Sequence, residues 1–396
     1  MISNKMKTLV ANSSTIRAMF EEGKRLASIH GEENVFDFSL GNPNVEPPKN
    51  IKDSIQNILN SEAPNLVHGY MNNSGYEDVR TKISNFINKK HNLNLSLDSI
   101  VMTCGAAGGL NILLKTLLNP EDEVIVFAPF FGEYRNYVNN FDGKLVVVSP
   151  DIDTFEPNIE ALKGKITEKT KAVIINSPNN PTGVVYSDEA MKKLAATLLE
   201  KEKELGTSIY LISDEPYREI VYDGVEVPYV LKYYKNSFIG YSYSKSLSLP
   251  GERIGYIVSN PKMDDYENIM AALNVANRIL GFVNAPSLFQ RVIADCLESE
   301  VDINVYKKNR DLLYDYLVDL GFKCIKPEGA FYLFPRTPIA DDKKFCEDAK
   351  QFNLLLVPGS AFGCPGHVRL AYCISYEKIK NSLPAFGKLA KLYNMK

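Results

Sequence analysis

The sequence has no pattern that would hold a metal or a disulfide framework. Its six cysteines, Cys104, Cys296, Cys324, Cys346, Cys364 and Cys373, are scattered without a Cys-x-x-Cys pair, and only four histidines accompany them. It also lacks an excess of one charge. With 45 basic residues against 48 acidic ones the net is -3, so no overall field calls for nucleic acid or an anionic membrane surface. No uninterrupted apolar run is long enough to span a bilayer, and the opening Met1-Ile2-Ser3-Asn4-Lys5 has no apolar core of signal-peptide type. There is no internal repeat and no low-complexity linker. Together these absences lead to the expectation of a cytoplasmic protein working on small molecules, with no metal, no nucleic acid and no membrane partner. Cys104 lies beside a glycine cluster, but a lone cysteine reads as a small core residue.

What is present is a chain of 396 residues, 45% of them hydrophobic, enough for a large core split between two lobes. From about residue 100 to 260, short β-rich runs at 100–103, 123–127, 144–148, 171–175, 209–213, 237–241 and 253–258 alternate with helix-like stretches. That rhythm predicts an α/β layered fold. Val173-Ile174-Ile175 and Val146-Val147-Val148 are apolar throughout instead of alternating, which suits strands covered by helices on both faces. After residue 260 the pattern changes: a long helix is expected at 302–320, strands at 331–335, 354–357 and 367–373, and a last helix at 376–393 bent or interrupted by Pro384.

Chemistry concentrates at the ends of the predicted strands. In Ser242-Tyr243-Ser244-Lys245-Ser246-Leu247-Ser248-Leu249-Pro250-Gly251-Glu252-Arg253 one lysine sits among hydroxyls, with an arginine eight residues on. A lysine amine can bond to the aldehyde of pyridoxal phosphate, while Ser242 and the fixed fork of Arg253 can hold its phosphate. Alone, the motif reads more readily as a serine-rich strand end with a solvated lysine and a surface arginine. Thr103-Cys104-Gly105-Ala106-Ala107-Gly108-Gly109 follows a strand and opens a helical run, so its backbone amides can approach an anion. Asp214, in Ser213-Asp214-Glu215-Pro216-Tyr217, stands at the carboxyl edge of the sheet, where it either meets a ligand or caps the next turn. A carboxylate there could face a pyridine nitrogen and stabilise its protonated form. Asn176-Ser177-Pro178-Asn179-Asn180-Pro181-Thr182-Gly183 is a dense turn whose adjacent asparagines offer amide donors beyond what a turn requires.

Taken in order, Leu40-Gly41-Asn42-Pro43, Tyr70 followed by Gly75-Tyr76, the Gly105 cluster, Pro129-Phe130-Phe131, the turn at Asn180, Asp214 to Tyr217, Lys245 with Arg253, and Arg369 resemble the class I/II aminotransferases, pyridoxal phosphate enzymes of fold type I. The resemblance runs across nearly the whole chain. It implies a large domain at 49–292 with a mostly parallel seven-stranded sheet sandwiched by helices, and a smaller α+β domain from 1–48 and 293–396. By the same resemblance Lys245 holds the cofactor and then shuttles a proton as base and acid, Asp214 faces the pyridine nitrogen, Tyr217 donates to the phenolic oxygen, and Phe131 stacks on the ring. Gly105, Ala106, Ala107, Ser242 and Arg253 would bind the phosphate, with Tyr70 reaching across from the second subunit of a homodimer. Arg369, Asn180 and the backbone amide of Gly41 would hold the substrate α-carboxylate.

The implied reaction moves an amino group from an L-amino acid, aspartate-like, to a 2-oxo acid such as 2-oxoglutarate. A distal carboxylate needs a second cation, and relatives with that specificity place a lysine in the phosphate loop or borrow an arginine from the other subunit. This chain has Ala107 at the loop position, leaving Arg278 and Arg17 as candidates. A carbon-sulfur β-lyase of the same fold would use the same lysine, aspartate and arginine and stays open as an alternative. A non-catalytic cofactor-binding regulator is a further one, although the leader before Gly41 has neither the length nor the basic balance of a DNA-binding domain.

Overall fold

The computed structural model describes the backbone of residues 2–11 and 15–396, and the side chains of 2–10 and 22–396. In chain order the strands are β1 (Phe36–Asp37), β2 (Ile100–Thr103), β3 (Glu123–Phe127), β4 (Lys144–Val148), β5 (Thr170–Asn176), β6 (Tyr210–Asp214), β7 (Ser237–Ser242), β8 (Gly255–Ser259), β9 (Tyr332–Leu333), β10 (Leu354–Leu355), β11 (Val357–Pro358) and β12 (Val368–Ala371). Seven of them form one sheet in the order β2-β8-β7-β6-β5-β3-β4. Every neighbouring pair from β4 to β7 is parallel, while β8 lies antiparallel to both β7 and β2. This is the mostly parallel, helix-covered sheet of fold type I.

Burial explains the apolar runs. Val124, Ile125 and Val126, and Ala172, Val173 and Ile174, are all buried, and their side chains divide between two cores, one on each face of the sheet. Residues of the helix Gly105–Leu117 belong to one face, while those of Glu77–His91 and Asp188–Leu205 belong to the other. Helices on both faces leave only the strand ends open to solvent, so a parallel sheet presents ligands with a row of carboxyl-terminal residues. Asn176 and Asp214 are paired in register as the last residues of β5 and β6. Ser242 ends β7 two positions beyond Gly240, which pairs with Asp214.

A third core gathers Phe38, Tyr306, Leu313, Phe331, Tyr332, Phe345, Leu370, Phe386 and Leu389 around a small sheet of order β11-β12-β9. The helix expected at 302–320 is Asn304–Asp319. The final helix, Tyr376–Leu392, runs through Pro384 without interruption. Its buried Ile379, Ser382, Ala385, Phe386 and Leu389 give it a packed face, and tertiary burial outweighs the bond that proline removes. The last strands are shorter than their apolar runs. The 354–357 run is split into β10, which pairs in parallel with β1, and β11, which pairs with β12. Arg253 is not part of a strand: it stands in the left-handed region at φ 52°, after the turn Pro250–Glu252, and β8 begins at Gly255. Among the described residues no helix is long and apolar enough to cross a membrane, and no cluster of histidine, cysteine and acidic side chains has the grouping of a metal site.

Candidate active site

Beyond the ends of β5, β6 and β7 lies a cavity of about 380 Å³. Its walls include Gly41, Ala106, Ala107, Phe131, Asn180, Asp214, Tyr217, Ser242, Lys245, Arg253 and Arg369, so eleven of the thirteen residues singled out from sequence converge on one space. The exceptions are Gly105, one turn-residue behind the wall, and Tyr70, which is 93% exposed and lies outside the cavity.

Asp214 is buried, with its Oδ2 accepting from the Tyr134 hydroxyl at 2.5 Å and its carbonyl accepting from Asn176 Nδ2 at 2.7 Å. Its Oδ1 is buried without a hydrogen-bond partner. Burial pushes the carboxyl up to about 7, with the Glu215 charge adding to the rise and the bond from Tyr134 opposing it. A carboxylate held in this way needs a protonated nitrogen or another donor at Oδ1.

Lys245 sits on the single-turn helix Tyr243–Ser246 that follows β7. Ser242 caps that turn: its Oγ accepts from Ser244 N–H at 3.1 Å and lies 2.7 Å from Ser244 Oγ. The turn aims Lys245 Nζ across the cavity to the Gly41 carbonyl, to which it donates at 2.6 Å. Burial lowers its pKa to about 8; Cys373 opposes the shift, whereas Arg369 and Arg253 add to it. An amine in that range keeps a substantial unprotonated, nucleophilic fraction near neutrality.

One end of the cavity is built for an anion. The helix Gly105–Leu117 starts there with Gly105 at φ 69°, and a Cβ on Gly105 would stand 2.8 Å from Arg253 Nη2. The missing side chain therefore lets the guanidinium lie against the helix N-terminus, whose free N–H groups and dipole favour negative charge. Arg253 Nη1 donates to the Pro250 carbonyl at 2.9 Å, which fixes the fork.

The other end carries Arg369 on β12, only 3% exposed. Its Nη1 donates to Asn180 Oδ1 at 3.2 Å and its Nη2 to the Ser39 carbonyl, while Nε has no partner. Among the described residues no carboxylate pairs with it; the rings of Tyr332 and Phe362 flank it at 4.8 and 4.9 Å. A buried guanidinium with this surplus of donors is a seat for a carboxylate. Of the two adjacent asparagines, Asn179 is consumed by its own turn: its Oδ1 accepts from Thr182 N at 3.1 Å and Thr182 Oγ1 at 2.9 Å. Asn180 alone reaches the cavity.

Phe131 lines the wall and meets Tyr134 edge-on, with ring centres 5.6 Å apart. Tyr217 is buried, and its hydroxyl lies 2.8 Å from that of Tyr332. Cys104 precedes the helix Gly105–Leu117 and does not line the cavity; burial raises its thiol pKa. Arg278 is exposed near the end of the helix Tyr266–Ile279 and does not line the cavity either. The side chain of Arg17 lies outside the described residues. Sequence reasoning missed Tyr134 and Tyr332. Each acts through a partner 80 or 115 positions away, so no local spacing signals it.

The profile of the family described as aminotransferase class I and II matches residues 33–386. Aspartate aminotransferase of Thermotoga maritima is 31% identical over 372 residues, covering 93% of this chain and 94% of that protein. A probable aspartate aminotransferase of Methanocaldococcus jannaschii is also 31% identical, with 97% and 98% covered. In three dimensions an aminotransferase from Eubacterium rectale superposes with a TM-score of 0.97 at 46% identity over 100% of both chains. Aspartate aminotransferase of Thermus thermophilus with maleate gives 0.86 at 26% identity, covering 98% of this chain and 99% of that one. This chain belongs to the class I and II aminotransferase family, and its activity is the transfer of an amino group.

Proposed function

We propose that the enzyme binds pyridoxal 5'-phosphate in this cavity and transfers the amino group of an L-amino acid to a 2-oxo acid such as 2-oxoglutarate. The observation that carries the reading is the buried Asp214 Oδ1, unpartnered in a space that also holds a lysine with a depressed pKa. When bound, such a cofactor supplies an aldehyde for the lysine and a protonated ring that withdraws electrons from the substrate Cα.

The chain's own residues then have distinct tasks. Lys245 would hold the cofactor's aldehyde, and its amine would serve as the base and acid that takes and returns the substrate Cα proton. Asp214 would keep the ring nitrogen protonated, with Tyr134 holding the carboxylate and Asn176 the Asp214 backbone carbonyl. Tyr217 donates to the phenolic oxygen, and Phe131 covers one ring face. The amides of Gly105, Ala106 and Ala107, with Ser242 and Arg253, hold the phosphate. Arg369, Asn180 and the Gly41 amide hold the substrate α-carboxylate.

In this reading the enzyme is a cytoplasmic homodimer, and the 93% exposure of Tyr70 supports its reaching the phosphate of a second subunit. The lobes divide as 49–292 against 1–48 with 293–396, and the core around β9 and β12, drawn mostly from 293–396 and joined by Phe38, supports that division.

The donor is aspartate-like, in keeping with the names of the relatives. Among the described residues the lining cations are Lys245, Arg253 and Arg369, each already engaged, which leaves Arg278, reaching from a second subunit, or Arg17 for the distal carboxylate. Comparing kcat/KM for aspartate and alanine before and after Arg278→Ala tests this. A loss of aspartate preference of about tenfold or more is expected for a removed ion pair, and an unchanged preference removes Arg278 from the site. Pyruvate released from cystathionine without any 2-oxo acid would instead make the protein a β-lyase.

A further inference from the structure

Tyr332 stands at the junction of the two ends of the cavity. It belongs to β9, which pairs with β12 so that Tyr332 lies opposite Ala371 and Leu333 opposite Leu370, next to Arg369. Its side chain is 2% exposed. Its hydroxyl lies 2.8 Å from the Tyr217 hydroxyl, and its ring lies 4.8 Å from the Arg369 guanidinium carbon. The rings of Tyr332 and Tyr217 meet edge-on at 83°, their centres 5.7 Å apart. On a third side Gly41 presses against it: a Cβ there would fall 2.0 Å from the Tyr332 hydroxyl oxygen. The same Gly41 offers its carbonyl to Lys245. One phenol thus touches the predicted cofactor donor, the predicted carboxylate seat and the backbone that receives the lysine.

We infer that Tyr332 is a positioning residue of the reaction: its hydroxyl donates to Tyr217, leaving the Tyr217 proton free for the cofactor's phenolic oxygen, and its ring sets the plane of Arg369. The inference rests on the cofactor reading above. The direction of the bond follows from the cofactor reading: a Tyr217 hydroxyl whose proton is given to the phenolic oxygen can only accept from the Tyr332 hydroxyl 2.8 Å away. The titratable groups facing Tyr332 are Tyr217, Arg369 and Cys373. Burial lifts both phenols, and the Arg369 charge pulls both back. A hydroxyl that receives a hydrogen bond donates its own more strongly. A phenylalanine would fill the same volume and make the same stack, so the hydroxyl and the ring have separable roles.

The test is the pH titration of the visible band of the lysine-bound cofactor, together with steady-state kinetics. Tyr332→Phe is expected to move the titration midpoint up by about half a pH unit, as the Tyr217 donation weakens. Tyr217→Phe should move it further, and the double variant no further than Tyr217→Phe alone. Replacing Tyr332 by 3-fluorotyrosine, which sharpens the donor without changing its shape, should move the midpoint down. Tyr332→Leu, which also removes the ring beneath Arg369, should raise the donor's KM about fivefold beyond Tyr332→Phe. A midpoint indifferent to both phenylalanine and fluorotyrosine, or additive shifts in the double variant, would overturn the inference. A wild-type protein with no visible band would sink the cofactor reading and this inference with it.

Discussion

At the scale of single residues, the site is defined by charges left without partners. Asp214 is the clearest: its native pKa is raised from 3.8 to about 7 by burial, so the folded chain keeps a proton that the unfolded chain releases. The sign follows. Cofactor-free protein is stabilised at this group below about 4, and that contribution is lost as pH rises toward 7. Asp214→Asn should therefore raise the melting temperature of the cofactor-free protein at pH 8 but not at pH 4, while lowering kcat/KM about a hundredfold or more through loss of the ring-nitrogen partner. Calorimetry at the two pH values checks the first half; an equal effect at both would mean that Asp214 is already paired. Arg369 is unpaired in the same sense. Arg369→Lys keeps the charge but loses the two-pronged geometry, and we expect a fall in kcat/KM of about a hundredfold for every α-amino acid, without loss of the cofactor band.

At the scale of elements, each functional side chain is placed by the end of a strand or the start of a helix. Gly105 shows how narrow the tolerance is. Its positive φ and the 2.8 Å approach of Arg253 mean that Gly105→Ala must both strain the backbone and push the guanidinium aside. We expect cofactor affinity to fall about tenfold or more, measured by equilibrium dialysis of pyridoxal phosphate. A wild-type affinity would show that Arg253 does not seat the phosphate. The strands were legible because all-apolar runs such as 173–175 have no other stable place than a sheet covered on both faces. Element ends were less so: β8 starts two residues after Arg253 because that residue is forced into a left-handed turn, which side-chain composition does not announce. Pro384 does not interrupt the last helix, since its packed face is formed by partners far along the chain. Lys245 stood out by its hydroxyl neighbours and the arginine eight residues on, Asp214 by its place at a strand end, and Arg369 because a guanidinium in an apolar run demands an explanation. Tyr134 and Tyr332 did not, because an aromatic in an apolar run demands none until its hydroxyl is seen to meet another group.

At the scale of the whole molecule, the proposed dimer completes the site. Tyr70 sits exposed on one chain, and Lys245 lies in a cavity that Tyr70 of the same chain does not line. If Tyr70 acts across the interface, co-expressing Tyr70→Phe with Lys245→Ala creates mixed dimers in which one of the two sites is intact. About a quarter of the wild-type site count should then return from two nearly inactive parents, and no recovery would place Tyr70 outside the site. The central claim is that Lys245 holds pyridoxal phosphate for amino-group transfer, and the most direct measurement is the visible absorption spectrum of the purified protein through one cycle of substrates. The account predicts a visible band that is absent from Lys245→Ala, that gives way to the pyridoxamine form on adding aspartate without oxo acid, and that returns on adding 2-oxoglutarate. A protein without such a band, or one whose band recovers by itself while pyruvate accumulates, would contradict it.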